Sequence, residues 1–288
     1  SSAFIGYWHN AGSVNAGTVA GNTIGSSTAA GAIVVKYQGA AVGALTVGVN
    51  IVTAAAATMV FSNNKIGGII ADYLNTVNRG HLYAVSTSGA GALTFTNNII
   101  GSETVANSIE HKGSTYTGGQ VNLRGVSMGN VGVTALTGNI VANLTASSTA
   151  TMAVNGIFHN GGGVNTISNN IIRDIKSAGT RVIATQVSDA GLIGIVLNSN
   201  STGNTIGANT IYNLENTNTT EATDVYGINF HSINAGASTI EKNKIYNLST
   251  ASTNTAANVV GISITRGLTN TMNNAISLGN GISNAVSI

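Results

Sequence analysis

The sequence predicts an all-β fold, a parallel β-helix (β-solenoid) of about eight coils with loop insertions on one arc. Three observations lead to this prediction. A short motif, of which residues 170–175 are the fullest copy, recurs along the chain. A Gly followed by an alternating apolar strand precedes the motif by 13 to 16 residues, and no segment shows a helical apolar period. Repetition at this period is typical of a stacked array of short units.

The first Asn of the recurring motif, which we call the anchor, marks each repeat. Successive anchors are separated by 42, 34, 41, 31, 39, 34 and 31 residues, and a β-branched aliphatic residue stands two positions after each. The anchors are Asn22, Asn64, Asn98, Asn139, Asn170, Asn209, Asn243 and Asn274. The aliphatic residues are Ile24, Ile66, Ile100, Val141, Ile172, Ile211, Ile245 and Ile276, and the Gly-led strands begin at Gly125, Gly156, Gly194, Gly227 and Gly261.

Parallel strands stacked in register lie about 4.8 Å apart, so equivalent residues form columns along the stack. We expect the aliphatic column to fill the interior and the anchors to form a structural ladder at an inward bend, with amide hydrogen bonds from coil to coil. An unpaired buried amide costs about 1 to 3 kcal/mol, so an anchor should tolerate neither Ala nor Asp. The anchor Asn and the strand-opening Gly also accept the left-handed backbone that sharp corners require.

The composition limits the classes of function. Charged residues are 7% of the chain and the formal net charge is +2, so no basic field for nucleic acid is present. The chain has no Cys, which excludes disulfides and thiolate metal sites, and no Pro, which would remove a donor from a coil-to-coil ladder. Apolar residues make up 43%, which argues for a packed interior.

We interpret residues 1–288 as a single β-solenoid domain, a segment of a longer or polymerising protein. The chain begins Ser1-Ser2 without Met or an apolar signal region, as expected of a processed product or an excerpt. Residues 39–61 are long enough for a membrane span, but Leu45, Val47 and Val49 alternate with small or polar residues. This period of two predicts buried strands and no membrane span.

Long connections fall in one arc of the repeat, between the anchor strand and the next Gly-led strand. They are residues 101–120, 173–190 and 215–224, and nearly all acidic residues lie in this arc. The arc is either simply where loops are exposed or an elaborated ligand-facing edge. On the second interpretation, the candidate ligand-facing residues are Glu103, Glu110, His111, Arg181, Asp189, Glu221 and Asp224. We expect the insertion 101–120 to be flexible and dispensable to the fold.

The kernels at residues 165–172 and 204–211, NTISNNII and NTIGANTI, carry a family resemblance. They resemble the right-handed parallel β-helix repeat proteins of the pectin-lyase-like type, and within them the Asn-rich, Cys-free repeats of large secreted bacterial surface proteins. The resemblance covers nearly the whole chain and implies an extracellular or cell-surface location. Such motifs specify the fold well and the function poorly.

Many proteins of this architecture cut polysaccharides, which requires two or three carboxylates gathered on one strand face. Here the closest acids, Glu221 and Asp224, lie in a Thr-rich loop. Asp174 stands where other repeats have Asn143, Asn213 and Asn247, so we interpret it as a ladder variant. We therefore expect no enzymatic activity and no cofactor.

Recurring His and Thr residues suggest two other types of site. His9, His159 and His231 stand near the ends of equivalent strands, and we interpret them as exposed residues. The stack spacing puts them about 10 to 19 Å apart, whereas ligands of one zinc ion lie about 2 Å from it. We expect no metal site. An ice-binding face is suggested by Thr166, Thr205, Thr210 and Thr239, but the TxT pairs of a two-column rank are missing.

These observations favour an extracellular structural protein, a β-solenoid segment of a surface fibre, filament or adhesin. Neither terminal segment has an amphipathic helix or a charged cover, so the terminal coils should expose unpaired strand edges. We expect head-to-tail association with further copies. The alternatives are a carbohydrate-binding or polysaccharide-cleaving β-helix that uses the loop arc and, third, an ice-binding β-solenoid.

Overall fold

The computed structural model describes residues 3–38, 43–74, 80–116, 119–130, 132–181, 190–233 and 236–278. Its strands form three sheets, which we name A, B and C in the order in which the chain visits them. Every strand pair in these sheets is parallel. No helix occurs in the described part of the chain. The predicted parallel β-solenoid of eight coils is confirmed.

Each coil contributes one strand to sheet A, one to sheet B and one or two to sheet C. Coil one contains β1 (Ala3–Asn10), β2 (Val14–Ala16), β3 (Thr23–Gly25) and β4 (Ile33–Tyr37). Coil two contains β5 (Ala44–Thr53), β6 (Thr58–Ser62), β7 (Lys65–Gly67) and β8 (Ile69–Tyr73). Coil three contains β9 (Gly80–Gly89), β10 (Ala92–Thr96), β11 (Ile99–Gly101) and β12 (Ile109–Lys112). Coils four to six contain β13 (Val121–Asn130), β14 (Thr134–Thr137) and β15 (Ile140–Ala146); β16 (Met152–Gly161), β17 (Asn165–Ser168) and β18 (Ile171–Ser177); and β19 (Leu192–Ser199), β20 (Thr205–Gly207) and β21 (Thr210–Asn216). Coils seven and eight contain β22 (Val225–Ser232), β23 (Ser238–Glu241) and β24 (Lys244–Thr250); and β25 (Val259–Arg266), β26 (Thr269–Met272) and β27 (Ala275–Ser277).

The core is built from columns of side chains that point inward from all three sheets. The aliphatic residue two positions after each anchor belongs to it: Ile66, Ile100 and Ile172 are fully buried, whereas Ile24 and Ile276, in the terminal coils, are only partly buried. Aromatic rings join the same stacking, since Phe61 and Phe95 of neighbouring sheet B strands lie 5.3 Å apart at their centroids. Burial is thus greatest in the middle coils and incomplete at the terminal ones.

The recurrent Gly stands inside the sheet A strand, which corrects the expectation that it opens the strand at a left-handed corner. Gly156 lies in the middle of β16 and is not among the residues with positive φ. A Cβ atom added to it would lie 2.6 Å from Ile172 Cγ2 and 2.7 Å from the Gly194 carbonyl oxygen. The position is Gly because the aliphatic side chain of sheet C packs directly on its backbone.

The left-handed corner residue is the one before the anchor, not the anchor itself. Positive φ occurs at Asn63, Asn97, Gly138, Asn169, Ala208, Lys242 and Asn273, with values from 54° to 70°. Asn is common there because its short side chain makes the left-handed region less costly. The expectation that the anchor adopts this conformation was therefore wrong by one residue.

Sheet C bends outward at a second corner, which divides it into two halves. In coils four to seven the bend is a single left-handed residue, Asn143, Asp174, Asn213 or Asn247, and in coil two it is Gly68. In coils one and three, residues 26–32 and 102–108 form loops there, and Ser102 donates to the Ser27 carbonyl at 2.5 Å. Both loops lie in the arc between the anchor strand and the next sheet A strand, whereas the predicted connections 173–190 and 215–224 begin within β18 and β21.

The insertion 101–120 is not the flexible, dispensable loop that we expected. After the loop at residues 102–108, β12 returns to sheet C and pairs with both β8 and β15. Ile109 and His111 on this strand are fully buried. The insertion carries the second half of the third coil and belongs to the core.

Candidate functional site

The anchors form a continuous ladder through all eight coils. From Asn64 onward, each anchor Oδ1 accepts hydrogen bonds from the backbone N–H and the Nδ2 of the anchor in the preceding coil, at 2.8 to 3.1 Å. Each Nδ2 also donates to a sheet B carbonyl of the preceding coil, as Asn170 does to Leu136 at 3.0 Å. The six central anchors are at most 1% exposed. The anchor-to-anchor hydrogen bonds have a direction, because the N–H and Nδ2 of each anchor donate to the Oδ1 of the anchor in the following coil.

The N-terminal coil leaves the interior open. A cavity of about 570 Å³ lies at this end and is lined by Tyr7, Val14, Ala16, Ile24 and Phe61 among others. We call it the N-terminal mouth. These side chains belong to the inward columns, but in coil one no preceding coil covers them in the described residues. The mouth is an apolar surface bordered by the edges of β1, β2 and β3.

A second ladder runs along the outer corner of sheet C, and we call it the corner ladder. Asn247 Nδ2 donates to Asn213 Oδ1 at 2.6 Å, and Asn213 Nδ2 donates to Asp174 Oδ1 at 2.7 Å. Asp174 Oδ2 also accepts from Arg173. Asn143 ends the row and donates to the Ser102 carbonyl at 2.8 Å. The interpretation of Asp174 as a ladder variant agrees with this geometry.

A polar groove of about 370 Å³ lies beside the corner ladder. Its floor is the outward column that contains Thr145, Lys176, Glu215 and Ser249. Lys176 Nζ and Glu215 Oε2 form an ion pair at 3.0 Å. On the other side of the corner, the rings of Tyr212 and Tyr246 stack with centroids 4.8 Å apart. The groove thus combines amides, hydroxyls and both signs of charge near aromatic rings.

The candidate ligand-facing residues of the third coil do not converge. Glu103 is exposed on the loop, where its carbonyl accepts from Arg173 Nη2 at 2.8 Å. Glu110 points outward from β12 and accepts from Ser147 Oγ at 2.8 Å. His111 faces inward and is fully buried, so its assignment as ligand-facing was wrong. Adjacent residues of a strand face opposite sides of the sheet, which separates the carboxylate of Glu110 from the imidazole of His111.

His111 belongs to an internal aromatic stack. Its ring lies 4.5 Å from that of Tyr73, which in turn stacks on Tyr37 at 4.9 Å. Nε2 donates to the Gly80 carbonyl at 3.0 Å, so Nδ1 is the acceptor facing Ser148 Oγ at 3.0 Å. Burial lowers the pKa of His111 to about 4. The residue is a neutral structural histidine at physiological pH.

Asp224 is also structural, and its assignment as ligand-facing was wrong. It is 4% exposed, and its Oδ1 accepts from the backbone N–H of Asn258 at 2.7 Å and from Asn258 Nδ2 at 3.2 Å. Its Oδ2 accepts from the Tyr226 hydroxyl at 3.1 Å. Burial raises the pKa of Asp224 despite these hydrogen bonds. The carboxylate joins coil seven to coil eight.

The remaining candidates are spread along the solenoid. Glu221 is exposed, and its backbone carbonyl accepts from Ser252 Oγ at 2.6 Å. Arg181 is half-buried after β18. Asp189 lies outside the described residues.

The three histidines differ from each other, which corrects their common interpretation as exposed residues. His159 is fully buried in the interior, with no hydrogen-bond partner for either ring nitrogen, and burial lowers its pKa to about 4. His9 occupies the same inward column four coils earlier. His231 stands in the neighbouring outward column, next to Thr265 Oγ1 at 3.0 Å. No group of three or more side chains able to hold a metal ion occurs among the residues that the structure describes.

A cluster on the outer face of sheet A was not predicted from the sequence. The Arg124 guanidinium carbon lies 3.5 Å from the centroid of the Phe158 ring and 5.3 Å from that of Tyr83. Beside Arg124 in the same outward column is Asn155, which is fully buried with both amide atoms unpaired. The register of the Gly-led strands could have indicated this cluster, because its residues occupy outward positions on neighbouring strands. The residues are far apart along the chain, so the cluster is not visible in the linear sequence.

Sheet topology, ladders and core together define the class of this protein as a parallel β-solenoid repeat protein. No protein-family model, curated protein or solved structure matches the chain. Among the described residues, no helix has the length and apolar character needed to cross a membrane.

Proposed function

We propose that this chain is a structural element of an extracellular or cell-surface fibre, filament or adhesin, in which solenoids associate end to end. The β-helix type that we favour is the right-handed, pectin-lyase-like one that the sequence resembles. The stacking of strands, anchors and core columns from coil to coil carries the proposal, because sheets built of stacked parallel strands can be continued by a further coil at an edge.

The ladder and the columns support the same function. Each coil hydrogen-bonds to its neighbours through backbone and anchor side chains, and the side chains of the interior stack from coil to coil. Such an array gains stability with each added coil. Coils joined in this way favour a stiff rod.

End-to-end association is tested by placing a charge in the mouth. Ala16→Lys puts an ammonium group among the apolar side chains of the mouth, whereas Thr23→Lys changes an exposed residue of β3 outside the lining of the mouth. Light scattering over a concentration series and electron microscopy report the assembly. We expect the parent chain and Thr23→Lys to form elongated assemblies and Ala16→Lys to remain monomeric. A parent chain that stays monomeric at high concentration would refute the proposal.

Carbohydrate binding is the second candidate, favoured by the groove beside the corner ladder. Its hydroxyl, amide and charged groups repeat at the strand spacing and suit a ligand rich in hydroxyls. Asp174→Asn removes the one carboxylate of the corner ladder and introduces the residue type that stands at the equivalent positions Asn143 and Asn213. Asp72→Asn, on β8 outside the groove lining, is the control.

Titration calorimetry with neutral and acidic polysaccharides tests the groove, and the neutral ones should bind Asp174→Asn more weakly than the control. Absence of binding by the parent chain would reject this candidate. New reducing ends or unsaturated products in the same mixtures, with calcium present, would assign it an enzymatic activity.

A further inference from the structure

We propose that the outer face of sheet B binds the surface of ice. This function goes beyond end-to-end association and does not depend on it, because it uses side chains of the central coils only. It is carried by two neighbouring columns of hydroxyl groups that the strand register places side by side. The expectation that a two-column rank is missing was therefore wrong.

The first hydroxyl column runs along the middle of the sheet B strands. Register aligns Thr94 of β10 with one half-buried residue on each of the four following strands. These residues are Ala135, Thr166, Thr205 and Thr239. Their strand neighbours Phe95, Leu136 and Ile167 are fully buried. Because side chains alternate along a strand, the Thr column lies on the outer face of the sheet.

The second column lies two residues further along the same strands. It contains Thr96, Thr137 and Ser168, which are also half-buried. The hydroxyl oxygens of Thr137 and Ser168 are 3.4 Å apart. Neighbours within a column are about 4.8 Å apart, and the two columns are separated by roughly 6.6 Å. Coils three to five therefore present both columns, and coils six and seven continue the first one alone.

This hydroxyl array is rigid and flat. Thr is β-branched, so its χ1 angle is restricted on a strand. Beneath the array, the stacked rings of Phe61 and Phe95 on β6 and β10 have an angle of only 4° between their planes. Neighbouring strands of most sheets are rotated by about 20 to 25°, so the nearly parallel rings indicate little twist here. A preorganised array binds an ordered ligand with a smaller loss of entropy.

The chemistry of the face selects the ligand. None of the outward residues of β6, β10, β14, β17 and β20 is charged or aromatic. Val133 and Val164, which precede β14 and β17, add exposed methyl groups beside the first column. Protein interfaces depend on aromatic and Arg anchors, which this face lacks. A neutral, periodic array of hydroxyl and methyl groups instead complements the uncharged lattice of water molecules at an ice surface.

The experiment measures thermal hysteresis and inhibition of ice recrystallisation by the full chain. Thr166→Lys places a long charged side chain in the middle of the first column. Thr210→Lys is the matched control, because Thr210 is a half-buried outward Thr of sheet C whose equivalent in the next coil is Lys244. We expect activity from the parent chain and Thr210→Lys, and loss of most of it in Thr166→Lys. The circular dichroism spectra of both variants should be unchanged.

Three results would overturn the proposal. A parent chain without either activity would show that the face does not bind ice. Full activity of Thr166→Lys, or an equal loss in Thr210→Lys, would show that the hydroxyl columns are not the binding surface. Co-sedimentation with crystalline cellulose or chitin, without any effect on ice, would assign the face to a crystalline polysaccharide. Light scattering of the same samples reports end-to-end association separately, so the failure of one proposal does not decide the other.

Discussion

Replacement of a central anchor by Ala should be among the most destabilising single changes in this chain. Asn170 Oδ1 accepts from the backbone N–H of Asn139 at 2.9 Å and from its Nδ2 at 3.0 Å. Its Nδ2 donates to Asn209 Oδ1 and to the Leu136 carbonyl, both at 3.0 Å. Asn170→Ala removes four hydrogen bonds and leaves two donor groups of Asn139 without a partner in a fully buried site.

The expected loss of stability in Asn170→Ala comes from the two unpaired donors of Asn139. A buried polar group left unpaired costs about 1 to 3 kcal/mol, so the loss of unfolding free energy should be roughly 2 to 6 kcal/mol. Asn22→Ala is the matched control, since Asn22 is exposed and loses only its side-chain donation to Asn64. A single hydrogen bond of this kind contributes about 0.5 to 1.5 kcal/mol.

Equilibrium unfolding in urea, followed by circular dichroism, measures both variants. The slope of each transition must be compared as well as the midpoint, because a repeat array can lose cooperativity when one coil is weakened. If Asn170→Ala loses no more stability than Asn22→Ala, the reasoning fails, and the central amides contribute no more than solvent-exposed ones.

Three further predictions concern buried groups. His159→Leu should raise the unfolding free energy by about 1 to 3 kcal/mol, because it removes two unpaired ring nitrogens from an apolar column; a loss in urea unfolding would mean that water or another group satisfies the ring. Acid should destabilise the fold between pH 6.5 and about 4, because the unfolded chain protonates His111 and His159 first. The loss amounts to roughly 3 kcal/mol for each histidine, and a pH series should show a shallower slope for His159→Leu than for the parent chain. Ile109→Ala should cost about 2 to 5 kcal/mol if β12 is part of the core, whereas a change near zero would restore the view of the insertion as a dispensable loop.

The columns of this fold were predictable because stacking requires the same residue types at the same positions of every coil. An anchor and an aliphatic residue two positions later recur eight times, and periodicity detects such a pattern without knowledge of the corner geometry. The left-handed residue was misplaced because two polar residues, Asn169 and Asn170 for example, stand side by side at the corner. Composition does not distinguish the residue that turns the backbone from the one that fills the ladder.

The candidate sites were less predictable, since they depend on burial across coils. Asp224 looks like an exposed loop acid in sequence, and only the stacking of coil eight on coil seven encloses it with Asn258. The corner groove and the Arg124 cluster arise from residues that are 30 to 40 positions apart in the chain and one strand apart in space. Linear distance conceals such neighbours unless the register is already known.

The two ladders show why the inner column is invariant and the outer one is not. Every inner anchor is Asn, since an amide can both accept from the preceding coil and donate to the following one in a buried site. The corner ladder is half-exposed and accepts Asp174, whose missing donor is offset by Arg173 and by the amide of Asn213. A carboxylate in the inner ladder would face the Asn209 and Leu136 oxygens with no cation beside it. Chemical variation is therefore tolerated at the outer corner, and a ligand-binding function would arise there with the least cost to the fold.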